Sequence, residues 1–514
     1  MFARCFFFCG AFCLVIGAAS KLLATNGGEF RITVVDAQTR EPIACRLHLK
    51  NAKGAPQKAA RMPFWNDHFV FPGNVKLRLP RGNYTFELDH GPEYTDRKGY
   101  FSIEDNADDE QVIDLTRSVD MAGEGWWSGD LHIHRSEKDI RLLMQAEDLH
   151  VAPLITWWNE KNPWKGKPLP KEPVVRFDGN RIYDLLGGED ERGGGALLFF
   201  NLANPLDLSG SEREYPPAMK FLLAARAQET PDQPVWIDIE KPFWWDTPIW
   251  LASGKVDSIG LANNHMQRDG MLTNEAWGKP RDKSRFRDPR GNGEWSEEIY
   301  YHVLNSGLRI PPSAGSASGV MPNPVGYNRI YVWVDKDEFS YAAWWEAFKA
   351  GRVVVTNGPL IRPFANNRLP GHVFKGTATE ELELEITLNL ATREPISYME
   401  IVKDGRVVQS VRLDEMAKTG HLPPVKFTES GWVLVRAVTD NDKTYRFAST
   451  APWYVELGDK PRISKASAQF FLDWVNERTA KLKLTDVAER REVLEFHDQA
   501  RKFWEERVSQ ATVD

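Results

Sequence analysis

The densest group of metal-binding side chain types lies in Ser128-Gly129-Asp130-Leu131-His132-Ile133-His134. On an extended backbone, residues two apart project from the same face, so both imidazoles can reach one ion. Neutral imidazole suits zinc, manganese or iron, and an adjacent carboxylate commonly orients a ligating histidine. Asp130 is therefore read as a supporting group or a proton acceptor. Two half-exposed strand histidines would give the same pattern without a metal. Gly188-Glu189-Asp190-Glu191 precedes the apolar run Ala196-Leu197-Leu198-Phe199-Phe200. That places acidic side chains at a strand entrance, where a ligand can sit, although a solvated loop reads alike. His265, in Leu261-Ala262-Asn263-Asn264-His265, ends another apolar stretch and is either a compensating ligand or a strand-end histidine bonded to a loop. His150 and His302 fall in helix-like stretches and read as structural.

An Asp-Leu-His-x-His run after a glycine resembles the first motif of the PHP (polymerase and histidinol phosphatase) superfamily, most closely its CehA/McbA-type branch. Further similar elements follow in order: Gly188-Glu189-Asp190-Glu191, Gly315-Ser316, and Gly351-Arg352-Val353-Val354-Val355-Thr356-Asn357-Gly358-Pro359. Together they cover roughly positions 125 to 363. The resemblance implies that His132 and His134 bind one metal and that Glu189 is a ligand, with Glu191 as the alternative in the bridging role. Several positions depart from that pattern. Trp158, in Thr156-Trp157-Trp158-Asn159, stands where the family has a histidine; Lys241-Pro242 replaces His-Pro; and Gly315-Ser316-Ala317-Ser318-Gly319 lacks the late Asp and His. These losses fall on the second metal, so the resemblance implies a reduced site with one divalent ion, zinc or manganese. It also suggests that Lys241 supplies positive charge where the other ion would have been.

The expected activity is that of a metal-dependent hydrolase, in which a metal-activated water cleaves an ester or phosphoester. The alternative is a catalytically silent PHP-like protein that binds a glycan or another ligand. That alternative draws on the 19 tryptophans, which include Trp126-Trp127, Trp157-Trp158, Trp244-Trp245 and Trp344-Trp345. On a strand, one member of each pair could line a cleft while the other packs. Arg329 and Arg352 either position an anionic substrate or brace loops. The basic loop 279–290 holds six Lys and Arg residues and two Asp, and reads as a solvated insert or an anion site. A nucleophile elbow, a phosphate-cradling loop and a paired-cysteine motif are all missing from the sequence.

Several elements must position these groups. A chain of 514 residues exceeds one ordinary core, and 42% hydrophobic with 27% charged residues is a globular balance. A net charge of -7 argues against nonspecific nucleic-acid binding. Residues 1–24 read as a signal peptide: Arg4, an apolar run too short to span a bilayer, then small residues. The expected protein is thus exported, periplasmic or extracellular, with no membrane span after cleavage and a small-molecule or glycan-type substrate. Only Cys45 follows that leader, so no intrachain disulfide is expected.

The expected fold class is multidomain α/β plus β. Residues 28–118 alternate like a transthyretin-like or carboxypeptidase-regulatory-like β-sandwich, with Val75–Leu79 and Tyr84–Leu88 read as a hairpin. Residues 119–363 alternate strand and helix, as in a distorted α/β barrel. Residues 364–460 return to β patterning around an Asp404-Gly405 turn, and 461–514 carry two amphipathic helices.

Overall fold

The computed structural model describes residues 27–458 and 460–514. The expected signal peptide lies outside them. Among the described residues no helix is long and apolar enough to cross a membrane.

The N-terminal unit holds two small sheets that share one core of alternating apolar residues, among them Phe30, Ile32, Val34, Cys45, Leu47, Leu49, Phe69 and Phe71. The first sheet orders Asn74–Pro80, Gly27–Asp36 and Asp108–Leu115; the second orders Phe64–Trp65, His68–Phe71, Cys45–Asn51, Gly82–Asp89 and Arg97–Ile103. The expected hairpin is therefore corrected. Its first strand pairs with Gly27–Asp36 and its second with Cys45–Asn51, in different sheets. Alternation predicts that a segment is a strand, not which strand it pairs with. Here the chain turns a corner at Gly82, whose φ of 151° lies in the positive region where side chains are disfavoured.

Within the second sheet the strand Cys45–Asn51 is buried on both faces. Cys45, Leu47 and Leu49 enter the core, while Arg46 and His48, pointing the other way, are also buried. Arg46 pairs with Glu147 of the central unit and with Asp89, so the central unit covers this polar face.

The central unit is mixed α/β and mostly sheet. Its strands run in the order Pro312–Ala314, Ser258–Ala262, Trp236–Ile239, Gly195–Phe200, Arg181–Arg192, Val151–Trp158, Trp126–Gly129, Arg329–Trp333 and Val353–Thr356. The sheet then continues through Phe447–Thr450, Gly431–Val438, Tyr398–Lys403 and Arg406–Arg412, because Val354 pairs with Thr450. The predicted barrel is corrected on this point: the ladder is an open path and does not close. It curls far enough for the extended segment Leu131–His134 to bridge distant strands. Ile133 forms parallel bridges with both Leu154 and Ser318, and Leu131 N–H donates to Ala314 O at 3.1 Å.

The helices of this unit include Glu137–Ala146 and Tyr341–Lys349. The tail forms helices Lys465–Lys481 and Val487–Ser509, the latter capped by the Asp486 carboxylate on the N–H groups of Ala488 and Glu489. Their apolar faces place Phe471, Trp474 and Trp504 in the central core, and the Trp504 indole donates to Pro248 O at 2.9 Å.

Candidate metal centre

The centre begins at the segment that bridges the curled sheet. Leu131 and Ile133 are fully buried in the core, so alternation turns His132 and His134 together to the opposite side. Asp130 holds this segment in place. Its Oδ1 accepts from the N–H groups of His132 and Ser316, each at 3.0 Å, and its Oδ2 accepts from Gly326 N–H at 2.7 Å. Both oxygens are thus engaged by main-chain groups, and the predicted acidic partner braces loops rather than an imidazole. Gly315 is required by close approach, since a Cβ there would lie 2.4 Å from His132 Cβ.

Glu189 comes from the strand Arg181–Arg192, which lies parallel to Val151–Trp158 and pairs Glu189 with Trp158. Its Oε2 lies 3.2 Å from His134 Nε2 and 3.5 Å from His132 Nε2, and the two imidazole nitrogens are 2.9 Å apart. A tetrahedral ion with bonds of about 2.0–2.1 Å separates its ligand atoms by roughly 3.3 Å. The three atoms sit at that spacing. Glu189 Oε2 is buried with no hydrogen-bond partner, a costly state that a cation relieves. These residues fit one divalent ion.

The structure brings the expected His132, His134 and Glu189 together, and beside them Glu240, which sequence reasoning missed. That residue follows the strand Trp236–Ile239 and is buried. Its Oε1 faces His132 Nδ1 at 3.2 Å, out of line for a full hydrogen bond. Its Oε2 accepts from Trp244 Nε1 at 3.0 Å and pairs with Lys241 Nζ. Lys241 therefore lies one carboxylate away from His132. The available signal was an acidic residue at a strand end, just before the Lys-Pro pair.

The electrostatics follow from this packing. Burial opposes charge on His132, yet Glu189 and Glu240 hold its pKa up at about 10. Burial would raise both carboxyls, but His132 holds Glu189 well below the usual range, and Lys241 with His132 holds Glu240 at about 2. The His132 imidazole and the Lys241 ammonium thus face the two carboxylates from opposite sides of Glu240. His134 is pushed down by burial. Glu191, two residues beyond Glu189 on the same strand face, is pushed up to about 7 by burial and by the negative charge of Glu189. Asp190, pointing the other way, pairs with Arg192 Nε at 2.5 Å.

His265 stands outside the convergent group. Its Nδ1–H donates to Asn274 O at 2.8 Å, and burial together with the Lys241 charge lowers it to about 3. Arg329 is buried and donates Nη2 to Glu147 O at 3.1 Å, so it braces a loop, while Arg352 is exposed. In the loop 279–290, Arg281 pairs with Glu275 and Asp288, and Lys279 with Glu477 at 2.5 Å. His150 bonds Ser128 Oγ and His302 bonds Ser467 Oγ, each at 2.9 Å, in structural roles. Of the four tryptophan pairs, every member is buried except Trp158, whose ring lies 5.1 Å from that of His134. The pairs are core, and only Trp158 is placed to face a ligand.

No family model, curated protein or solved structure matches this chain.

Proposed function

We propose that this protein is an exported hydrolase of PHP-like type, with a mononuclear centre that acts on ester or phosphoester bonds of small molecules. The reading is carried by the convergence of His132 Nε2, His134 Nε2 and Glu189 Oε2 on one point within 3.5 Å of one another. A divalent ion held there would polarise the scissile group and acidify its bound water. The chain's own residues do the rest. The two imidazoles present Nε2 lone pairs, and Glu240, itself held by Lys241 and Trp244, faces Nδ1 of His132 and selects the tautomer that keeps Nε2 free. Glu191, with its carboxyl poised near neutral pH, takes a proton from the attacking water. Trp158 offers an apolar face beside His134 for the substrate.

Elemental analysis of the purified chain beside His132→Ala/His134→Ala tests the reading. About one transition metal per chain, lost together with ester or phosphoester hydrolysis in the variant, supports it. A folded wild-type protein that takes up no metal at this site and hydrolyses neither class refutes it.

A further inference from the structure

A second constellation of ligand atoms lies in the N-terminal unit. The strands Cys45–Asn51 and His68–Phe71 pair antiparallel, with Cys45 opposite Phe71, Arg46 opposite Val70 and Leu47 opposite Phe69. The same register sets His48 opposite His68, on the face turned away from the unit's own core. Directly opposed side chains in such a ladder stand with Cβ atoms about 4.5–5.5 Å apart. The rings are accordingly 5.0 Å apart. Between Phe64–Trp65 and His68–Phe71 the two-residue turn Asn66-Asp67 brings the Asp67 carboxylate back over both rings. Asp67 Oδ2 lies 3.0 Å from His48 Nδ1, and Asp67 Oδ1 lies 3.2 Å from His68 Nδ1. His48, His68 and Asp67 thus each offer one ligand atom within 4.8 Å of the others.

Hydrogen bonding alone does not account for this arrangement. His48 is 4% exposed, and neither of its ring nitrogens makes a hydrogen bond despite the short approach to Asp67. Leaving a buried polar group unpaired is costly, because it has given up its water partners without a replacement. A cation between the two imidazoles and the carboxylate would satisfy His48, and the two nitrogen–oxygen separations of 3.0 and 3.2 Å are near the roughly 3.3 Å edge of a tetrahedral site. Nearby positive charge does not forbid it. Arg46 is neutralised by Asp89 and Glu147, and Arg268 by Glu87 at 2.6 Å. The Asp67 side chain is 18% exposed, which leaves a route for entry and room for water as a fourth ligand.

We propose that His48, His68 and Asp67 form a second divalent-cation site of zinc type, independent of the centre at His132. Its position gives it a mechanical role. The hairpin that carries Asp67 also carries Trp65, whose indole donates to Met321 O at 2.7 Å. Met321 bridges Ser318, which in turn bridges Ile133 between the two histidines of the first centre. A cation at Asp67 therefore clamps the hairpin that docks the N-terminal unit beside that centre.

The test loads full-length metal-free protein with cobalt(II) and measures bound cobalt and its visible ligand-field absorption. Three proteins are compared: wild type, His132→Ala/His134→Ala, and that double variant with Asp67→Asn. The proposal expects the double variant to keep one cobalt per chain with an intense band, and the added Asp67→Asn to weaken that binding at least 10-fold. Asp67→Asn preserves shape at a partly exposed position, so folding is retained, whereas His48→Ala would empty a buried site; His68→Gln serves as a second probe. A folded double variant that binds no cobalt overturns the proposal, as does retention of the same cobalt and band after both Asp67→Asn and His68→Gln. The first centre is judged separately, by the equivalent lost between wild type and the double variant.

Discussion

Glu240→Gln probes the centre through a residue that touches no ligand position of its own. Two effects follow from its contacts. The first is on metal affinity. Glu240 is the carboxylate facing Nδ1 of His132 at 3.2 Å, and loss of such an outer partner typically weakens metal binding 10–100-fold, or about 1.4–2.8 kcal/mol. The second is on stability. Lys241 is 3% exposed and has its ion pair with Glu240, so the variant strands a buried ammonium at a cost of about 3–5 kcal/mol. The two effects separate in Glu240→Gln/Lys241→Met, where the stranded charge is gone but His132 still lacks its carboxylate. The assay is chelator competition for zinc on folded protein, paired with denaturant unfolding of the metal-free form. The single variant should lose both affinity and stability, and the double variant should regain most of the stability while the affinity stays 10–100-fold down. Wild-type affinity in both variants would refute the view that Glu240 orients His132.

Glu191→Gln should retain the metal while lowering the hydrolysis rate about 10²–10⁴-fold, the usual contribution of a general base. Since the base must be deprotonated, the wild-type rate should rise with pH through about 7, and the variant should lose that limb in a pH–rate profile. Asp184, buried and pushed up from 3.8 to about 6 by desolvation, favours the protonated form in the folded state. Its contribution to stability is therefore present below pH 3.8 and lost as pH rises through about 6. Relative to Asp184→Asn, wild type should lose about 3 kcal/mol across that window in denaturant titrations, and a pH-independent difference would contradict the burial argument. Trp504→Ala should cost about 3–5 kcal/mol, because it empties a fully buried site and removes the bond to Pro248 O. Calorimetry of the metal-free chain would measure that loss.

Local pattern was enough for much of this protein. Period-two alternation identified strands from Phe30 onward, the Asp404-Gly405 turn joins the hairpin it was expected to join, and apolar periodicity located the two terminal helices. His132 and His134 were legible because their shared face depends only on extended backbone, whereas Glu189 was singled out through the family resemblance, and its acidic run lies within the strand Arg181–Arg192 rather than at the entrance of the next one. Partner choice was not legible, since alternation constrains a strand's faces and leaves its neighbours free. Thus Val75–Leu79 and Tyr84–Leu88 went to different sheets, and the central ladder stayed open where a barrel was expected. The same limit hid Glu240, which has no sequence relation to His132 and meets it only because the sheet curls. It hid His48 and His68 as well, twenty residues apart in the chain and opposed only by the register of their strands. Asp130, identical in sequence to a ligand-orienting carboxylate, was turned to bracing by three main-chain N–H groups that only the folded loops deliver. Residue type and spacing set which chemistry was possible here. Long-range pairing, paid in chain entropy and decided by burial, determined which side chains meet to perform it.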